Sequence, residues 1–292
     1  MKYLMLILLV FEISIASAQD DLLSLTEREE QEKEYVTGAF KSSRVINGHS
    51  IEFIGKKVLD VRILHRFGII KNGISELFGL DEASMRLGFD YGISNNLTIG
   101  IGRSTLNKEL DGFLKYRLIQ QSEGKNPMPI SVVVIGGTTL FTTKFQPDAK
   151  HAELKHRMAY FTELLIGRKF SEAFSFQVSP VYIHRNLVPY ISDNNDSYAL
   201  GLGMRLKLSR RVAAVADYHI VFSGLNKDLY HNPFSIGFDI ETGGHVFQLH
   251  FSNTTGMNEK AFITQTSQGW NNGEIRFGFN LSRVFLLGSE KK

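Results

Sequence analysis

From Val58 to the C-terminus, apolar and polar residues alternate at a period of two. The pattern is clearest over Ala83-Ser84-Met85-Arg86-Leu87-Gly88-Phe89-Asp90-Tyr91-Gly92-Ile93. Ser197 to Leu208, Asn232 to Ile240 and Gly273 to Leu281 repeat it. Successive side chains on a strand point to opposite faces, so each segment carries one oily face and one polar face. A long series of such strands fits an antiparallel transmembrane β-barrel, lipid outside and polar groups within. A soluble β-sandwich also alternates. Strands of nine or more residues, behind an export signal, favour the barrel.

That signal occupies residues 1–18. Met1-Lys2 is positive, Tyr3 to Ile15 is apolar apart from Glu12 and Ser14, and Ala16-Ser17-Ala18 is a small-residue cleavage pattern. The run is too short for a membrane helix, which needs about 20 apolar residues. Gln19 is therefore the expected mature N-terminus. The chain has no cysteine, which excludes a lipoprotein anchor, disulfides and thiolate metal sites. After the signal, Ile130 to Gly137 is the nearest thing to a spanning helix and is far too short. A net charge of +3, scattered along the chain, implies no nucleic-acid partner.

The alternation predicts twelve strands, at 58–68, 83–93, 96–104, 110–121, 129–141, 157–170, 174–187, 197–208, 211–222, 233–241, 244–252 and 273–286. Short connections alternate with long ones, as in up-and-down outer-membrane barrels, whose short turns face the periplasm. Thr142 to His156 and Asn253 to Asn272 are the longest, read as outer loops. The stretch Gln121 to Met128 is too long for its place in the pattern. Three short turns share the frame apolar-Ser-polar-x-apolar, at Ser94, Ser171 and Ser209, where a hydroxyl can bond its own backbone. Residues 19–57 stand apart. Ser24-Leu25-Thr26-Glu27 fits a capping box, and Thr26 to Glu34 reads as a short solvated helix. Tyr35 to Ser50 is polar and without period, and is expected to enter the barrel as a plug. The chain thus divides into signal (1–18), leader and plug (19–57) and barrel (58–292).

Parity sorts the side chains. Phe89, Tyr91, Tyr116, Phe174, Tyr182, Tyr198, Phe238, Phe247 and Phe279 fall among the outward aromatics. The inward set contains Asp60, Arg62, Arg66, Arg86, Asp90, Asp111, Lys115, Arg117, Arg205, Lys207, Asp217, His219, Asp239, Glu241, His250, Glu274 and Arg276. Such a set either satisfies itself as an ion-pair network or lines a pathway that selects a solute. Gly88, Gly92, Gly100, Gly102, Gly201, Gly203, Gly237 and Gly278 also face inward. They let the wall bend or leave room for a second backbone, bending being the simpler explanation. Lys41, Arg44 and His49 of the plug are expected to pair with lumen carboxylates such as Asp90 or Asp239.

Four stretches carry a resemblance: Phe40 to Ser50, Glu76 to Asp81, Asp239 to Phe251 and Gly278 to Phe285. They resemble a family of Gram-negative outer-membrane β-barrel proteins classified only as a domain of unknown function. The resemblance implies the fold and the outer membrane, with no activity attached. His250-Phe251-Ser252-Asn253 with Trp270-Asn271 also resembles outer-membrane phospholipase A. That likeness implies Ser252 as nucleophile, His250 as base and Asn271 as orienter. The spacing to Trp270 is longer here, and parity turns His250 and Ser252 inward rather than toward lipid.

No histidine pair has zinc-ligand spacing, and no glycine-rich phosphate loop links strand to helix, so neither metal nor cofactor is expected. The leading expectation is a narrow channel for a small polar solute, gated by the N-terminal segment. A second is a structural barrel, set in outer-membrane lipid, that docks a periplasmic or surface protein through the acidic leader (Glu27, Glu29, Glu30, Glu32, Glu34). A third is the lipid hydrolase.

Overall fold

The protein is described from a computed structural model over residues 32–143, 153–190, 193–243 and 245–288. The expected signal peptide, the expected capping box and most of the acidic leader lie outside the described residues. Twelve strands form a closed barrel. They are β1 (Val58–Ile69), β2 (Ala83–Ser94), β3 (Leu97–Ser104), β4 (Glu109–Ile119), β5 (Ser131–Phe141), β6 (Met158–Lys169), β7 (Phe174–Arg185), β8 (Asp196–Lys207), β9 (Val212–Ser223), β10 (Phe234–Thr242), β11 (His245–Ser252) and β12 (Arg276–Leu286). Each pairs antiparallel with its sequence neighbours, and β12 pairs with β1 from Arg276 opposite Ile69 to Leu286 opposite Val58. Closure removes both edges, so every strand finds a hydrogen-bonding partner on each side. The strands predicted from the alternation are these twelve. The largest displacement is at β12, which starts at Arg276 rather than Gly273 and leaves Glu274 in the preceding loop.

The serine turns work as their frame suggests. Ser171 Oγ accepts the Ala173 and Phe174 amides, at 3.2 and 3.1 Å. Ser209 Oγ accepts those of Arg211 and Val212, at 3.3 and 3.1 Å. Ser94 Oγ takes the Asn96 amide at 3.2 Å. The connection after β4 breaks the short pattern for a visible reason. Ser122–Glu123 pairs antiparallel with Glu34–Tyr35, and Ser122 bridges to Met128. Glu34 is therefore extended, where the sequence suggested the end of a helix. The excess length of this turn receives the incoming N-terminal segment.

Outward positions are apolar around the barrel: Phe89, Ile101, Leu114, Tyr182, Phe238 and Phe251 are all exposed. Among the described residues, no helix is long and apolar enough to cross a membrane. The inward face is divided. On β5 to β7 it carries an apolar patch, with Val133, Ile135, Phe161, Leu165, Val181 and Ile183 buried. On β1, β2, β4 and β8 to β12 it is ionic. An evenly wet interior, implied by treating all inward positions as polar, is thus replaced by two sectors.

Candidate functional site

The polar sector faces a hairpin of the protein's own chain. Residues 39–51 run inside the barrel, with all but Lys41 and Ser42 fully buried. Arg44 bridges to His49, the Val45 amide donates to the Gly48 carbonyl at 2.9 Å, and the Ser50 amide donates to the Ser43 carbonyl at 3.0 Å. The hairpin therefore pairs with itself and is not a thirteenth strand. Buried amides need acceptors, and the barrel wall supplies them. Asp217 Oδ2 accepts the adjacent Asn47 and Gly48 amides at the tip, at 2.7 and 2.8 Å. Gln177 accepts the Ile51 amide and donates to the His49 carbonyl, at 3.0 and 2.6 Å. Gln248 donates to Val45 O, Asn280 to Ile46 O, and Arg66 to Asn47 Oδ1. On its other side, Phe40, Val45 and Ile51 pack with the apolar sector.

The opposite mouth is filled by the connection between β11 and β12. Sequence patterning made 253–272 an outer loop, but residues 257–264 turn back into the lumen as helix α1 (Glu259–Thr264), with Met257, Phe262 and Ile263 buried. Asn258 caps it, its side chain accepting the Ala261 amide at 2.8 Å while donating to Glu109 Oε2 at 2.8 Å. Lys260 reaches Glu109 Oε1 at 2.6 Å. Glu259, only 2% exposed, joins helix to hairpin: its Oε1 lies 2.7 Å from Arg44 NH1 and 3.3 Å from His49 Nε2.

That geometry keeps one part of the pairing expected from sequence, Lys41 with a lumen carboxylate, and corrects the rest. Arg44 and His49 meet Glu259, a residue the parity argument could not reach because it sits in a loop. Lys41 pairs with Glu241. Asp90 and Asp239 take no plug cation: Asp239 accepts from Gln248 at 2.6 Å, and the buried Asp90 oxygens have no hydrogen-bond partner among the described residues. The other inward residues are distributed as follows. Arg86 holds Asp111 in a two-point contact, one limb of it 2.8 Å. Arg62 lies 3.2 Å from Asp60 and donates to Ser43. Lys115 donates to the Ser43 and Glu52 carbonyls, and Arg117 lies over the Phe53 ring, 4.3 Å from its centroid. His219 Nδ1 is 3.1 Å from Asp217. Arg205 is buried with its Nε and NH1 unpartnered, Arg276 donates to Phe67 O, and Lys207 is half-buried. Sequence reasoning missed buried Glu163 and Arg185, though both lie at inward parity on strands it had identified.

The hydrolase arrangement is not assembled. Ser252 Oγ is engaged by Ser235 (2.7 Å) and by the Thr254 amide (3.0 Å). Both ring nitrogens of His250 are buried without a partner, and Asn271 is exposed in the turn before β12. His250 and Ser252 share the inward face, yet no hydrogen bond joins the imidazole to the hydroxyl.

The inward glycines make room more than they bend the wall. A Cβ on Gly92 would lie 1.8 Å from the Gly55 carbonyl oxygen, and one on Gly203 2.9 Å from Val45. These two receive the N-terminal segment. Gly102 makes way for Arg86, Gly201 for His219 and Gly278 for His250.

Open spaces flank these elements among the described residues. At the short-turn end a cavity of about 290 Å³ lies between the hairpin and the wall, with Asp60, Glu241 and Ser282 among its lining. At the long-loop end one of about 170 Å³ lies beside α1. Against the hairpin itself, near Arg44 and Gln248, the free space is about 10 Å³. The hairpin and α1 thus form a septum, polar on one side and apolar on the other, between two vestibules.

A family model described as a membrane-bound β-barrel domain (DUF5777) matches residues 40–285. The match begins inside the hairpin, so it takes in the septum along with the wall. No curated protein matches the chain. Among solved structures, the chain is similar to the NanC porin at 10% identity, over 78% of this chain and 98% of that one, with a TM-score of 0.48. It is similar to an outer-membrane channel from Pseudomonas putida F1 at 14% identity, over 81% and 98%, with a TM-score of 0.48. To the translocator domain of the autotransporter NalP from Neisseria meningitidis the figures are 12%, 80% and 89%, and 0.37.

Proposed function

The chain belongs to the membrane-bound β-barrel domain family, and from that premise we propose an outer-membrane channel for a small polar solute, closed by its own N-terminal hairpin. The signal-like residues 1–18 and the alternation of short turns with long loops support a Gram-negative outer membrane, with the short turns and hairpin entrance on the periplasmic side. One observation carries the channel reading. Besides its apolar packing, the septum is held to one side of the wall by hydrogen bonds and ion pairs, while vestibules of about 290 and 170 Å³ stand on either side of it. A barrel filled only for stability would do as well with apolar packing, since buried ion pairs gain little over hydrophobic replacements. The polar side of the septum is also a reversible one, because water replaces its hydrogen bonds when it leaves.

Planar-bilayer recording of the full chain and of a variant lacking residues 35–50 tests this. The deletion raises single-channel conductance. Conductance that is present but unchanged by the deletion removes the gate. Silence from both favours a structural barrel that docks a periplasmic or surface protein. The pairing of Glu34–Tyr35 with Ser122–Glu123 speaks for that second reading, because it sets a small two-stranded sheet outside the barrel.

A further inference from the structure

The cavity beside α1 has a chemistry of its own. Three cations line it: Arg157 just ahead of β6, Arg185 at the end of β7, and Lys260 on α1. No carboxylate is among the described residues that line it. Glu109 matches Lys260 at 2.6 Å from behind. The guanidinium of Arg185 is served mainly by the Asn194 and Gly224 carbonyls, at 2.9 and 3.3 Å, with Asp193 as far as 3.9 Å. Arg185 is 2% exposed, and its Nε has no hydrogen-bond partner. The Arg157 Nε is likewise sealed from solvent and has no hydrogen-bond partner among the described residues. What an anion in the cavity meets is the positive charge of this lining rather than the sealed Nε atoms.

The remaining wall is oily, formed by Phe141, Leu187, Val188 and Pro189. Inorganic anions gain nothing from such a surface, whereas an organic acid does. Thr139, Ala159 and Arg185 are buried positions of the inward face, and α1 lies within the barrel, so the cavity opens to the lumen mouth rather than to lipid. Its volume of about 170 Å³ is close to the roughly 150 Å³ that accommodates a benzene ring.

We propose that this cavity binds a small organic anion, one carboxylate carried on an apolar body of about six carbons, at the entrance to the channel. The assignment rests on the channel reading, for which it names the solute class. Arg157 meets the carboxylate in a charge-assisted hydrogen bond, Arg185 and Lys260 add positive charge behind it, and the apolar wall holds the body.

Titration calorimetry on the full chain in detergent, with benzoate, its neutral counterpart benzamide and inorganic phosphate, tests the site. Benzoate binds, and benzamide and phosphate bind about tenfold more weakly or worse, the worth of one charge-assisted bond. Arg157→Gln lowers benzoate affinity by about the same factor, while heat-modifiable migration shows the barrel intact. Val188→Asp, which adds a carboxylate to the oily wall, abolishes benzoate binding. Absence of benzoate binding, equal affinity for benzamide or for phosphate, or undiminished affinity in either variant overturns the proposal. Binding and conductance are read separately: a conducting barrel that ignores benzoate loses the site but keeps the channel, and a silent barrel that binds it does the reverse.

Discussion

Gly92 shows how one missing methyl group shapes this lumen. The Gly55 carbonyl sits where its Cβ would be, at 1.8 Å, and backbone is not free to step aside. Gly92→Ala therefore pushes out the returning arm of the N-terminal segment, which is otherwise fastened by the Lys57 amide to the Gly92 carbonyl at 2.8 Å. The expected result is faster proteolysis within residues 35–57 and a larger conductance, with the barrel still resistant to detergent. Gly136→Ala, with nothing within 4 Å, serves as the control and changes neither. The inward direction of Gly92 was readable from parity alone. What it makes room for was not, because the contact joins a strand to an aperiodic segment. Asp217 has the same history: its parity announces a lumen carboxylate, but its capture of the Asn47 and Gly48 amides depends on where a hairpin turns. Asp217→Ala leaves two buried donors unpaired, at about 1–3 kcal/mol each. Urea titration in vesicles measures that loss, and Asp217→Asn, which keeps an acceptor, recovers part of it.

Among the elements, legibility follows the environment. The strands lie between two solvents, and each residue must suit one or the other, so a period of two runs through nearly all of them. Helix α1 has no such imprint. It is six residues long and surrounded by protein, shorter than two helical turns, which leaves no apolar stripe to detect. Asn258 and Glu259 form a local start signal, but nothing adjacent marks the segment as buried. The hairpin was placed inside the barrel by its polarity, yet its partners were misassigned because the cation-rich tip meets α1 as well as the wall. The link between these two elements is testable by a double-mutant cycle on Arg44 and Glu259. Either single change to Gln strands a buried charge, at about 3–5 kcal/mol for a broken buried pair. The double variant costs less than the sum of the two, because neither charge remains. Additive losses in vesicle unfolding would show that hairpin and helix are held independently.

For the molecule as a whole, the decisive division is between lipid-facing and lumen-facing side chains, made by the closed register from β1 to β12. Ile101 tests it at a single point. It is 65% exposed on β3, flanked by Phe89 on β2 and Gly112 on β4, while its neighbours Gly100 and Gly102 turn inward. A cation at such a position must remain in hydrocarbon or drag water with it. Near the bilayer midplane an arginine on the lipid face of a barrel costs about 2–4 kcal/mol, falling toward zero at the interfaces. Ile101→Arg is therefore expected to lower stability by about 2–4 kcal/mol in vesicles, measured by reversible urea unfolding. Leu229→Arg, in the connection between β9 and β10, stays in water and is expected to cost little. Ile101→Arg is also expected to cost much less in short-chain detergent micelles, where the head group reaches water more easily. A loss of the same size in micelles and vesicles would assign it to packing, and would place that face of the barrel somewhere other than the bilayer core.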